Sequence, residues 1–211
     1  MEKDIAKFID YTNVSPIATS SDIKRLCQEA KKYGFFSVCV TSSRIKLAKS
    51  FIKNSSIKLI SVVGFPHGTT IDQIKAAEAK QAVKNGADEI DMVMNIGAFK
   101  EKNYQYVLNE IKMVVQSAKP KLVKVIIETC YLTKNEIKKI CQIVKSSGAV
   151  FVKTSTGYGP TGAKEEDIKL MRKTVGPNFG VKASGYIRDK ETVLKMIKAG
   201  ANRIGTRALL K

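Results

Sequence analysis

Two lysines in this 211-residue sequence sit where a charged side chain is costly to bury: Lys153 in FVKTSTG and Lys182 in GVKASG. Each ends a short apolar run of the kind that forms strands covered on both faces. Burial disfavours an ammonium, and a second ammonium nearby disfavours it further. Such a lysine becomes a free amine near neutral pH, which attack on a carbonyl to form a Schiff base requires. A lone strand lysine more readily snorkels or pairs with a carboxylate. Two of them, with Asp91 in DEIDMVMN on a third run, favour catalysis. Asp91, flanked by Ile90 and Met92, reads either as a proton shuttle or as a structural partner of Lys153 or Lys182, and spacing leaves both open. Asp88 and Glu89 read as turn or strand-entry residues. Glu128, after VKVII, reads as a structural or substrate-orienting group.

The remaining reactive side chains exclude other chemistries. A single histidine, His67, rules out a multi-His metal cage and an HExxH protease, and a Ser-His-Asp triad would have to use it. Cys27, Cys39, Cys130 and Cys141 are far apart, with no CxxC pair, so reduced thiols and no zinc site are expected. No stretch approaches the roughly 20 apolar residues of a membrane span. The opening MEKDIAKFID carries acids and no long apolar run, unlike a signal peptide, so a soluble cytoplasmic protein is expected. The net charge of +18, from 37 Lys+Arg against 19 Asp+Glu, admits nucleic acid, a membrane surface or a small phosphate as partner. The lysines are spread along the chain in blocks no longer than two, as on solvated helix faces. With no nucleic-acid motif and no basic stripe interleaved with aromatics, a nucleic-acid-binding barrel is the weaker alternative, and neither nucleic acid nor membrane is expected as a partner.

The elements that must position these groups repeat. Apolar β-rich runs cover residues Phe8–Thr12, Phe35–Val40, Lys58–Phe65, Ala87–Asn95, Leu122–Thr129, Ala149–Thr156, Phe179–Ser184 and Ala201–Thr206. Amphipathic Lys/Glu-bearing stretches alternate with them. Ser20/Ser21 opens one helix; Thr133, with Glu136 three residues on, opens another with a capping box. Gly34, Gly86, Gly148 and Gly200 follow helices as left-handed caps. The pattern predicts one (β/α)8 TIM barrel domain over residues 1–211, with a short N-terminal helix and a truncated last helix in ALLK. A doubly wound open sheet is the competitor, and its glycine fingerprint is absent. A partner subunit covering the truncated end would make a homodimer.

In a barrel of this kind the chemistry lies at the C-terminal strand ends. There the chain carries Asp10 and Thr12, Asp91 and Asn95, Glu128, Lys153 and Thr154, Lys182 and Ser184, and Gly205 and Thr206. Loops after strands seven and eight often bind phosphate. Here they read Ser184-Gly185-Tyr186-Ile187-Arg188 and Gly205-Thr206-Arg207-Ala208, and the loop after strand six, Ser155-Thr156-Gly157-Tyr158-Gly159, is equally rich in glycine and hydroxyls. Three such loops on one face suit an anion.

These residues also resemble a known family. FIDYT, SVCV, VVGFPHG, EAKQAVKNGADEIDMVMNIGAFK, VKVIIET, FVKTSTGYGPTGA, VKASGYIRD and ANRIGT, in this order over almost the whole chain, resemble the deoxyribose-phosphate aldolases, which are class I Schiff-base aldolases. The resemblance implies reversible cleavage of 2-deoxy-D-ribose 5-phosphate to D-glyceraldehyde 3-phosphate and acetaldehyde, with no metal or organic cofactor. It implies Lys153 as the Schiff-base nucleophile, Lys182 as the neighbour that lowers its pKa, and Asp91 as the proton relay. Asp10, Thr12, Cys39 and Thr154 fall at the substrate pocket. For Cys39 a buried small apolar role is an equal reading. Gly157, Ser184, Gly185, Tyr186, Gly205 and Arg207 fall at the phosphate. The chain departs from the family there: Tyr186 stands where relatives carry a second glycine, and Arg207 and Ala208 where they carry small or hydroxyl residues. His67 stands where many have leucine. A Schiff-base lyase of another, unphosphorylated aldehyde is the alternative these departures raise.

Overall fold

The computed structural model describes residues 3–208. A short helix, α1 (Lys3–Ala6), precedes eight parallel strands. They are β1 (Ile9–Asn13), β2 (Ser37–Val40), β3 (Lys58–Val63), β4 (Glu89–Val93), β5 (Leu122–Ile126), β6 (Phe151–Lys153), β7 (Gly180–Ser184) and β8 (Arg203–Thr206). Each pairs with the next, and β8 pairs with β1, so the sheet closes into a barrel and the open-sheet alternative is excluded. Around it run α2 (Ser20–Tyr33), α3 (Ile45–Ile52), α4 (Asp72–Lys84), α5 (Ile96–Lys100), α6 (Tyr104–Ala118), α7 (Lys134–Ser146), α8 (Glu165–Val175) and α9 (Lys190–Lys198). The truncated last helix expected in ALLK involves residues 209–211, which lie outside the described residues.

Local chemistry sets these boundaries. Helix α2 starts one residue earlier than Ser20/Ser21 implies: Thr19 is its cap, in a reciprocal capping box with Asp22. Its Ile23, Leu26, Cys27 and Ala30 repeat at helical spacing and are buried against the barrel. Thr133 and Glu136 form the expected box on α7, where Ile137, Ile140, Cys141 and Val144 make the same stripe. Several strands are shorter than their apolar runs because polar groups draw the backbone out of the ladder. Asn95 leaves β4 to cap α5, accepting from the Ala98 amide at 3.0 Å. Glu128, after β5, has a left-handed φ of 52°. Thr156, after β6, turns to bind Glu128 through its amide.

The main hydrophobic core lies between strands and helices. Inside the barrel the buried apolar cluster is only Cys39, Ile60 and Val62, on β2 and β3, with Val14 and Phe65 packed on it. Beside it lies a network of buried ion pairs. A further buried ion pair lies outside it. Lys75 Nζ on α4 donates to Glu110 of α6, to Gly68 O at 2.6 Å and to Val93 O at 3.0 Å. Glu110 accepts in turn from the Asn95 amide at 2.9 Å. This pair ties the ends of β3 and β4 together.

Candidate active site

Strand register builds the site. Lys153 is paired with Lys182, and Lys182 with Arg203, so β6, β7 and β8 carry a row of cations into the lumen. Asp91 is paired with Lys124 on β5. Asp91 Oδ2 accepts from Lys153 Nζ at 2.8 Å and from Lys182 Nζ at 2.7 Å, while Oδ1 accepts from Lys124 Nζ at 2.8 Å. Lys182 Nζ also lies 2.5 Å from Asp10 Oδ2. Arg203 binds Asp10 through Nε at 2.8 Å and Glu89 through Nη1 and Nη2 at 3.2 and 3.0 Å, and its guanidinium stacks 3.7 Å from the Phe36 ring centroid. Glu89 Oε2 returns to Lys124 Nζ at 2.5 Å, which closes the network.

Three carboxylates, Asp10, Glu89 and Asp91, face three cations, Lys124, Lys182 and Arg203. A protonated Lys153 would be a fourth, unbalanced cation. Burial therefore disfavours the Lys153 ammonium and the Lys182 charge adds to that; together they outweigh Asp91 and push its pKa below the ordinary lysine value. Lys182 shifts the opposite way: burial works against its charge, but Asp10 and Asp91 outweigh burial and hold it protonated. Burial would raise Asp10 and Asp91, yet the surrounding cations prevail, taking Asp10 to about 2 and Asp91 well below the carboxylate range. Two lysines of one network are thus shifted in opposite directions.

Only one of them meets open space. A cavity of about 210 Å³ opens at the C-terminal strand ends, and Lys153 reaches its floor while keeping 4 % of its surface; Asp91 and Lys182 keep none. Of the expected pocket residues, Thr12, Gly157, Ser184, Gly185, Tyr186, Gly205 and Arg207 line this cavity. Asp10, Cys39 and Thr154 do not line it. Asp10 is an ionic strut of the lumen. Cys39 sits in the small apolar cluster, where burial pushes its thiol up to about 11. Thr154 stitches β6 to β7: its hydroxyl donates to Ser184 O at 3.1 Å and accepts from the Ser184 amide at 3.0 Å. Arg25, Glu29 and Arg188 also line the cavity without having been singled out.

Three network members were not expected. Glu89 is the entry residue of β4, as expected, but it is buried in the lumen, while Asp88 serves the turn, accepting from the Leu59 amide at 3.0 Å. Lys124 and Arg203 are ordinary in their sequence context, and their signal is register: each lies opposite a singled-out residue. Among the described residues no three His, Cys, Asp or Glu side chains converge as a metal-ligand set, and no helix is long and apolar enough to cross a membrane.

The pocket walls are close-packed backbone. A Cβ on Gly162 would meet Gly185 O at 2.1 Å, so the loops after β6 and β7 touch directly. A polar pocket over a lysine held below its ordinary pKa, itself bonded to a shared carboxylate, is suited to imine chemistry on a small carbonyl compound. The model of the DeoC/LacD family aldolases matches residues 5–208. The chain belongs to this aldolase family. A protein described as deoxyribose-phosphate aldolase from Thermococcus kodakarensis is 55 % identical, over 100 % of this chain and 96 % of its own. Among solved structures, "QR15, an Aldolase" superposes with a TM-score of 0.93 at 40 % identity, covering 97 % of this chain and 91 % of that one. A deoxyribose phosphate aldolase from Aeropyrum pernix, described as a unique tetramer, gives 0.91 at 32 % identity over 97 % and 87 %. Family membership accounts for the lysine-centred lumen: the chain is an aldolase, a carbon–carbon lyase.

Proposed function

We propose that this aldolase cleaves 2-deoxy-D-ribose 5-phosphate reversibly to D-glyceraldehyde 3-phosphate and acetaldehyde, with Lys153 as the Schiff-base nucleophile. The observation that carries the reading is Lys153 at the cavity floor, sharing Asp91 with two other lysines and held below the ordinary lysine pKa by burial. The Lys153 amine adds to the substrate aldehyde, and loss of water leaves the imine. The substrate C3 hydroxyl then gives up its proton as the C2–C3 bond breaks. The bonding pair flows into the imine to give an enamine, and glyceraldehyde 3-phosphate leaves. Protonation of the enamine carbon and hydrolysis release acetaldehyde and return the amine. Lys182, held charged, is the proton reservoir, and the ionised Asp91 between the two lysines is the acceptor through which protons move.

We place the anion end at Gly157, Ser184, Gly185, Tyr186, Gly205 and Arg207, which line the cavity, with Arg207 able to supply a guanidinium fork. Borohydride reduction in the presence of deoxyribose 5-phosphate, followed by mass spectrometry, tests the reading. One adduct on Lys153 is expected; an unmodified protein or another labelled lysine overturns it. Tyr186 and Arg207 also support a second reading, a Schiff-base lyase of an unphosphorylated aldehyde, which equal turnover with and without the 5-phosphate would favour. The aldolase works in the cytoplasm and as a homodimer on this reading, and light scattering reports the assembly.

A further inference from the structure

The loop that follows Lys153, residues 154–163, is fastened to three neighbours. On one side stands Glu128, buried, left-handed, and without a cation at ion-pair distance among the described residues. A non-glycine residue in that conformation stores about 1 kcal/mol or more of strain and persists where its surroundings demand it. Here the demand is visible. Its carboxylate accepts from the Thr156 amide at 3.1 and 3.2 Å and from the Thr156 hydroxyl. The loop then curls so tightly over it that a Cβ on Gly159 would meet Cys130 Sγ at 2.8 Å and Glu128 Cδ at 3.4 Å.

On the second side Tyr158, half exposed, donates its phenol to Val14 O of the loop after β1 at 3.0 Å and sets its ring edge-on against Phe65. On the third, Tyr186 of the loop after β7 donates its phenol to Gly159 O at 3.0 Å. It too is a non-glycine residue at positive φ, 60°, with the Arg188 guanidinium 5.9 Å from its ring centroid. Ala163 completes the seam, donating its amide to Ser184 O at 3.0 Å. Neither phenol touches Lys153 or Asp91. Both bond carbonyls of the loops that rim the anion end.

We infer that Glu128, Tyr158 and Tyr186 are positioning residues that hold the loop after β6 as a fixed wall of the anion end, and so set the preference for a phosphorylated over an unphosphorylated substrate. Glu128 is the post around which the loop is wrapped, and the phenols are ties to the neighbouring loops. The inference deepens the aldolase reading and rests on it for the identity of the substrate. Loss of a tie loosens the wall, which lowers affinity for the phosphate group and leaves the carbonyl chemistry at Lys153 in place. The signature is a rise in KM for the phosphorylated substrate at nearly constant kcat.

The test compares wild type with Y158F, Y186F, the double variant and E128Q. It measures kcat and KM on deoxyribose 5-phosphate and on deoxyribose, and the Kd of inorganic phosphate by calorimetry. For each phenol removed, the phosphorylated-to-unphosphorylated ratio of kcat/KM falls about threefold and phosphate Kd weakens equally, the size of one net hydrogen bond. E128Q, losing an acceptor for two donors, falls about tenfold. An equal loss on both substrates, or unchanged ratio and phosphate Kd, overturns the inference. If E128Q does not fold, the phenol variants still decide, because their hydroxyls lie at the surface. If wild type yields no Lys153 adduct, the aldolase reading fails by itself, and phosphate Kd across the variants still decides the wall.

Discussion

Lys75 and Lys153 are both buried, both bonded to a carboxylate, and both held below the ordinary lysine pKa, first of all by burial. Their surroundings differ in two respects. Lys75 has Glu110 as its own counter-ion, spends its remaining protons on two carbonyls, and does not line the cavity at the strand ends. Lys153 shares Asp91 with Lys124 and Lys182 and reaches the pocket floor. Desolvation alone therefore does not make a nucleophile. A counter-ion already committed to other cations, and an open face, separate an amine that reacts from one that braces.

The largest test of that contrast is Lys153→Leu, which is expected to abolish turnover and borohydride trapping while circular dichroism stays native. Lys75→Met should do the reverse: stability in urea drops by about 3–5 kcal/mol, as for a broken buried pair, and the folded fraction still traps substrate on Lys153. The double change Lys75→Met with Glu110→Leu should recover most of that loss. A stable but inactive Lys75→Met would break the comparison.

The ionic lumen should also show in acid. Asp10, at about 2 in the folded chain against 3.8 for the free group, contributes stability that is fully present above about pH 4 and is lost as pH falls through about 2. Urea titrations between pH 2 and 5 should register a contribution of about 2 kcal/mol that Asp10→Asn lacks. The smallest expected effect sharpens the role of the second lysine. Lys153 must be unprotonated to react, so kcat/KM falls on the acid side. Lys182→Met removes a like charge and leaves Asp91 less neutralised, both of which raise the Lys153 pKa. The acid limb should move to higher pH by about one unit, and an unmoved limb would assign the lowered pKa to burial alone.

The barrel was legible because strands buried on both faces read as continuous apolar runs, and eight of them alternate with amphipathic helices. Lys153, Lys182 and Asp91 were legible for the same reason: each is a charge inside such a run. That same double burial hid the rest. Where both faces are covered, no alternation marks which residues point inward, so Lys124 passed as one of many lysines and Arg203 as one residue of ANRIGT. Glu89 was read with Asp88 as a turn or strand-entry residue, which leaves open that one position along the strand moves a side chain from the rim into the lumen. Depth was hidden as well. Asp10, Cys39 and Thr154 were placed at the substrate, and only the stagger of the closed barrel decides how far below the cavity each lies.

Arg203, the first residue of the last strand, is bonded to Asp10 on the first strand and to Glu89 on the fourth. A chain emerging from the ribosome presents those acids long before the cation that neutralises them. Until β8 arrives Asp10 and Glu89 lack the guanidinium that joins them, and seven strands do not make most of an enzyme. The tuned amine depends on completion: shortening the chain by its last strand would remove the site without removing any residue that performs the chemistry.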